Sequence, residues 1–274
     1  MRLATIRTSD GTRAVRLDGD DRIDLGVTDV GALLADPDWE ARAGRDGDTL
    51  GRDAAFAPLV PDPGKIVCVG LNYAPHIREM GRDLPEHPTL FAKFRESLIG
   101  PYDPLVLPEE SAAVDWEGEL TVVIGRAVRR ADEQAAAAAI AGFTVANDVT
   151  TRDWQYRTKQ WLQGKTFEAT TPVGPVLVTP DEVPGGVAPD LRLRTILGDE
   201  VVQEARTSEL VFDPVALVQY VSQIVTLRPG DLVLTGTPGG VGHARTPPRY
   251  LQDGDVLVTE IEHLGRCRNE VRKA

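Results

Sequence analysis

Two glutamates two residues apart are the first residues whose types and spacing could do chemistry. In Val114-Asp115-Trp116-Glu117-Gly118-Glu119-Leu120-Thr121-Val122-Val123-Ile124-Gly125, the pattern alternates like a half-buried strand. Leu120, Val122 and Ile124 fall on one face, and Glu117, Glu119 and Thr121 on the other. Residues two apart on a strand sit roughly 6.5–7 Å apart and point the same way. Carboxylates aimed into one space raise each other's pKa unless something positive lies between them. A hard divalent cation meets that need. Mg²⁺ takes few carboxylates, prefers oxygen and keeps positions open for water or substrate. Taken alone, the pair more readily describes a solvated strand face, since carboxylates are ordinarily exposed.

Other residues bear on that choice. Asp148 ends the apolar run Phe143 to Val149, where it is a natural third carboxylate or the N-cap of a helix beginning near Thr150. His76 and Glu79 are three apart on a short helix that Pro75 opens and Gly81 ends, so they share a face. A carboxylate beside an imidazole makes a general base; a surface ion pair would look the same. Gln163-Gly164-Lys165-Thr166 fails as a phosphate-binding loop, because Lys159 stands where that motif needs glycine. Lys165 is then a surface lysine or a single cation placed for a substrate oxyanion. Lys93 and Arg95 share a face of a strand predicted over Phe91 to Ser97.

The elements that must position these groups read as mostly β. Short strands (Leu3 to Arg7, Ala14 to Leu17) and a helix after Thr28-Asp29 form a small α+β module over residues 1–60, ended by a linker with Pro58, Pro61, Pro63 and Gly64. Residues 61–274 form the larger domain. Strands are predicted at Lys65 to Val69, Val173 to Val178, Leu191 to Leu197 and Val201 to Glu204, the last two joined by a tight Gly198-Asp199 turn. Helices are predicted over Asp132 to Ile140 and Pro214 to Val225. The glycine-rich run Thr235 to Gly242 follows a strand and can bring N–H groups close to a ligand, without the dinucleotide spacing. A last strand, Asp255 to Glu262, closes the chain. Helices are too few for a doubly wound fold, which leaves a mixed, mostly β (α+β) core.

The net charge of −12 argues against a nucleic-acid surface or an anionic membrane as partner. It permits a small anionic substrate where a metal and a few basic residues reverse the field locally. The two cysteines, Cys68 and Cys267, suggest neither a disulfide framework nor a thiolate site. No apolar stretch approaches a membrane span or a signal peptide, so a cytoplasmic protein is expected.

In order, Gly70-Leu71-Asn72-Tyr73 with His76 and Glu79, Phe91 to Ser97, Asp115 to Leu120, Asn147 to Gln155, Gly164 to Phe167 and Thr235 to Gly242 give the chain its family likeness. It resembles the fumarylacetoacetate hydrolase family from about Lys65 to the C-terminus. The resemblance implies a mixed β-roll or sandwich with a few short helices, usually assembled as a homodimer. By it, Glu117, Glu119 and Asp148 would hold Mg²⁺, Mn²⁺ or Ca²⁺. His76 and Glu79 would sit on a helical lid and position a water, and Lys165 would face the substrate. Arg152, Gln155 and Thr237 would line the pocket, with Arg95 a further carry-over. Glu260 lies near the place of a glutamate that pairs with the catalytic histidine in some members. Leu197-Gly198-Asp199 departs from the Asn-Gly-Glu of many members, in a turn away from the chemistry.

The implied cation would act as a Lewis acid toward a 2-oxo or 2,4-dioxo acid. The same site could serve hydrolysis of an acylpyruvate, the favoured expectation, or decarboxylation of oxaloacetate or isomerisation of a 2-hydroxy-diene dioate. A non-catalytic metabolite-binding protein is the reading from another class.

Overall fold

A computed structural model describes residues 1–274 other than 52 and 80–82, and the side chains of His76 and Glu79 lie outside that description. The Gly118–Ile124 strand runs through the middle of the molecule, and all of it is buried, rather than half of it as the alternation predicts. It pairs antiparallel with Ile140–Asn147 on one side and with Leu232–Leu234 on the other. The alternation does sort its two faces. Leu120, Val122 and Ile124 pack with Leu193, Ile261 and Cys267 of a second sheet. Val123 points the other way, into a core shared with Cys68, Leu234 and the N-terminal helices. Gly118 lies on the face toward the second sheet. A Cβ there would come within 2.3 Å of Thr195 Oγ1, so glycine is what lets the sheets close at this point. Its neighbours Glu117 and Glu119 are thereby turned to the opposite face.

The large sheet runs Thr49–Leu50, Asp21–Asp24, Gly11–Asp18, Arg2–Thr8, Thr171–Val178, Ile140–Asn147, Gly118–Ile124, Leu232–Leu234, Ile66–Gly70, Thr89–Lys93. The first strands belong to the N-terminal 60 residues, and they join through Leu3 opposite Leu177. The Val30–Leu34 helix is capped by Asp29, whose side chain accepts from the Ala32 N–H at 2.9 Å. With Trp39 it covers the outer face of the same sheet. The linker between residues 1–60 and 61–274 is thus crossed by a continuous sheet and a shared core.

The smaller sheet runs Glu200–Arg206, Arg192–Leu197, Val256–Ile261, Gly265–Lys273, Leu105–Leu107. Gly198-Asp199 forms the expected turn, with Leu197 opposite Glu200. The Gly265–Lys273 strand corrects the expectation that the strand ending near Glu262 is the last. Its charged outward face hides a buried alternation of Cys267, Asn269 and Val271. Helices are short, and Pro214–Ile224 is 11 residues. The mostly β architecture is as expected. Among the described residues no helix is long and apolar enough to cross a membrane.

Candidate metal centre and substrate cavity

Strand register brings the acidic residues together. Gly118 stands opposite Asn147, and the Asp148 N–H donates to the Glu117 carbonyl at 2.8 Å, so Glu117 and Asp148 face each other where the two strands end. Glu119 follows on the same face as Glu117. Ligand oxygens of Glu117, Glu119 and Asp148 lie within 4.8 Å of one another, all in buried side chains. The Asn147 side chain accepts from the Glu117 N–H at 2.9 Å and donates to Thr259 at 2.8 Å, which ties this corner to the smaller sheet. Asp148 does not cap a helix. The Arg152–Gln155 helix has Thr151 at its cap, and the Asp148 carboxylate is spent on two lysines.

Those lysines define the electrostatics. Lys165 Nζ lies 2.8 Å from Glu117 Oε2 and 2.9 Å from Asp148 Oδ2, fully inside the protein. Lys93 Nζ lies 2.7 Å from the other Asp148 oxygen. Burial alone would raise the Asp148 pKa, but the Lys165 and Lys93 ammonium groups outweigh it and hold the group below the usual carboxylate range. Burial likewise opposes the charge on Lys165, and Asp148 and Glu117 outweigh it in turn, so its pKa is raised. Glu119 is different. Burial first, then the Asp148 and Glu117 charges, push it well above the usual range. Its one described partner is the Gly236 N–H, donating to Oε2 at 2.7 Å. Gly236 has φ +106°, and a Cβ there would sit 2.9 Å from Asn72 Cβ, so the loop meets Glu119 this closely through glycine.

Charge decides whether the site fits a divalent cation. Four buried carboxylates (Asp115, Glu117, Glu119, Asp148) face three buried cations (Lys93, Arg152, Lys165). Arg152 takes up two of the carboxylates, with Nε 2.8 Å from Asp115 Oδ2 and Nη1 2.7 Å from Glu117 Oε1. Among the described residues no cation reaches Glu119. With Glu119 ionised the cluster carries one excess negative charge. An oxygen-seeking divalent cation held by Glu117, Glu119 and Asp148 turns that into one excess positive charge, suited to an anionic ligand. The residues fit such an ion.

A cavity of about 360 Å³ opens over this floor, lined by Glu117, Lys165, Arg152, Gln155 and Thr237 among apolar walls that include Val69, Phe91 and Trp161. The structure therefore gathers Glu117, Glu119, Asp148, Lys165, Arg152, Gln155 and Thr237 in one place. The Thr237 hydroxyl donates to the Gly118 carbonyl at 3.0 Å and accepts from Gln203 at 2.8 Å. His76 and Glu79 belong to the Ala74–Glu79 helix, and their side chains lie outside the described residues. Arg95 is not among the cavity residues. The strand ends at Lys93, and the 3-10 turn Arg95–Ser97 sends Arg95 to the surface, paired with Asp62. Glu260 pairs with Arg194 at 2.8 Å in the smaller sheet.

Sequence reasoning missed three contributors. Lys93 reads as a strand-edge charge but is buried against Asp148. Asp115 anchors Arg152 and accepts from the Gly242 and His243 N–H groups at 2.7 and 2.9 Å. The glycine-rich loop thus grips site carboxylates, Glu119 and Asp115, where the sequence suggested a ligand. His243 lines the cavity mouth. A histidine directly after a glycine-rich loop was the one visible signal for it.

A family model for the C-terminal domain of fumarylacetoacetate (FAA) hydrolase matches residues 65–272. The mitochondrial oxaloacetate tautomerase Fahd2a of Rattus norvegicus is 48% identical over 217 residues, covering 79% of this chain and 69% of that protein. The solved structure of fumarylacetoacetate hydrolase from psychrophilic Exiguobacterium antarcticum superposes with a TM-score of 0.88 at 31% identity, over 100% of both chains. That of 5-carboxymethyl-2-hydroxymuconate delta-isomerase from Mycobacterium smegmatis does so with a TM-score of 0.79 at 34% identity, over 100% of this chain and 99% of that one. Most of the chain, from just past its proline-rich linker to its last strand, thus matches one family, and the protein belongs to the fumarylacetoacetate hydrolase family of enzymes.

Proposed function

We propose that the protein interconverts the keto and enol forms of a small 2-oxo dicarboxylic acid of the oxaloacetate type, using Mg²⁺ or Mn²⁺. The observation that carries this reading is the buried Glu117–Glu119–Asp148 trio, in which Lys165 bridges Glu117 and Asp148, beneath a largely apolar cavity. The relatives guide the choice of reaction. The rat protein is a tautomerase and the M. smegmatis protein an isomerase, names for rearrangements without added water. Hydrolysis of an acylpyruvate, the expectation from sequence, becomes the second reading, supported by the E. antarcticum hydrolase. The rat relative is mitochondrial by name, so it lends nothing to a cytoplasmic location.

A cation held by Glu117, Glu119 and Asp148 would supply Lewis acidity at the 2-oxo oxygen. Lys165, kept protonated by Glu117 and Asp148, offers N–H donors where negative charge grows as a proton leaves C3. Gln155 and Thr237 orient the substrate's polar end. Phe91 and Trp161 exclude water, which strengthens each charge interaction inside. By the family resemblance, His76 with Glu79 would serve as the base that takes the C3 proton. Lys165 stays protonated and hydrogen-bonds the enolate oxygen, and the proton that His76 takes from C3 returns to that oxygen through solvent. A homodimer belongs to the same proposal, and light scattering tests it.

The experiment follows loss of the oxaloacetate enol with protein and Mg²⁺, against Mg²⁺ alone, beside pyruvate release from acetylpyruvate. Tautomerisation above the metal-only rate, abolished by EDTA, is expected. Metal-dependent pyruvate release from acetylpyruvate without faster tautomerisation would replace this reading with the hydrolase one.

A further inference from the structure

Three cationic or cationisable side chains line the cavity among the described residues: Arg152, Lys165 and His243. The first two are committed. Arg152 serves Asp115, Glu117 and Gln155, and Lys165 serves Glu117 and Asp148. One excess positive charge, left once a divalent cation joins the floor, matches the carboxylate next to the 2-oxo group. A second carboxylate on the substrate needs another donor. His243 is exposed at the rim, away from the buried floor.

Its placement is built rather than incidental. The His243 N–H donates to Asp115 Oδ2 at 2.9 Å, and Asp115 is held by Arg152. Arg245 and Arg249, further along the same loop, both grip Glu200 at 2.7 and 2.6 Å. The ring lies beside Tyr156 and Tyr250, with centroids 5.5 and 6.2 Å away. His243 Nδ1 is 2.9 Å from the Tyr250 hydroxyl. When that hydroxyl donates to Nδ1, the ring proton sits on Nε2, which has no hydrogen-bond partner among the described residues. An oriented donor is thereby left at the mouth of the cavity.

We infer that His243 is a specificity-determining residue that binds the distal carboxylate of a 2-oxo dicarboxylic acid, an inference that rests on the proposed function. The floor takes the 2-oxo carboxylate, and the rim imidazole takes the far one. Tyr250 positions the ring through Nδ1, and Asp115 couples the rim to the floor through Arg152.

The test compares oxaloacetate with its 4-methyl ester, which keeps the 2-oxo carboxylate and loses the distal charge. Mg²⁺-loaded wild type, His243→Ala and His243→Gln are examined by ligand-induced thermal shift and by tautomerisation kinetics. Wild type should prefer oxaloacetate. In His243→Ala that preference should fall about tenfold, the scale of one charge-assisted hydrogen bond, through KM rather than kcat. His243→Gln, which retains an N–H donor, should recover part of it. An unchanged preference in His243→Ala, by both readouts, overturns the inference. Wild type that binds both ligands but tautomerises neither sinks the proposed function alone, and the thermal shifts then decide the inference. Wild type that binds neither overturns both.

Discussion

The Asp148 side and the Glu119 side of the cavity floor are buried alike, yet they are solved in opposite ways. Asp148 has a lysine on each oxygen, and its carboxylate is held ionised below its usual range. Glu119, on the neighbouring strand, has one backbone N–H and no described cation, and it is pushed above its usual range. Buried carboxylates are expensive unless paired. The difference teaches that the floor is an ion cluster complete on one side and one cation short on the other. Lys93 and Lys165 preorganise two ligands, while burial and the neighbouring carboxylates favour the protonated form of Glu119 in the metal-free protein.

The sharpest way to break that asymmetry is Glu119→Gln. It keeps the Gly236 hydrogen bond and removes the ionisable ligand. Turnover with saturating Mg²⁺ should fall at least ~10³-fold, on the scale of losing a principal electrostatic stabiliser. The metal-free protein should nonetheless melt higher at neutral pH, by about 2–4 °C for each ~1 kcal/mol of relieved carboxylate burial. The sign follows from linkage. A raised folded-state pKa means stability is lost as pH rises from the unfolded value through the folded one, and glutamine has no such loss. Thermal melts without metal and assays with it check both halves.

On the complete side, Lys165→Met should have the reverse effect on stability. Glu117 and Asp148 each lose a buried partner, so the metal-free protein should lose ~3–5 kcal/mol, and turnover should fall ~10²–10³-fold. Denaturant melts without metal separate the stability effect from the kinetic one. The smallest effect belongs to Arg95→Ala. The exposed Arg95, paired with Asp62, should leave the melting temperature essentially unchanged and change kcat/KM by less than about twofold. A large loss there would move Arg95 back into the substrate site.

What the sequence made legible was local. Glu117 and Glu119 two apart on a strand, Asp148 at the end of an apolar run and Gly236 after a strand are short-range patterns, and the structure brings all of them together. What it hid depends on long-range pairing. Lys93 meets Asp148 across 55 positions, because Thr89–Lys93 is the outer strand beside Ile66–Gly70. The extrapolation from Lys93 to Arg95 failed because the strand stops between them, so a period of two no longer applies. Gly265–Lys273 was concealed by the charges on its outer face, and His243 by lying in a 3-10 turn, Gly242–Ala244, too short to show periodicity. The N-terminal strands read as a separate module because nothing in their own composition shows Leu3 pairing opposite Leu177.

The most direct measurement is calorimetric titration of the metal-free protein with Mg²⁺ in buffers of different ionisation enthalpy, for wild type and Glu119→Gln. Burial, Asp148 and Glu117 raise the Glu119 pKa, so binding should expel its proton, and affinity should strengthen as pH rises toward that pKa. The account predicts net proton release on binding in wild type and less of it in Glu119→Gln, whose affinity is also much weaker. Proton release and affinity that are the same in both proteins would contradict it.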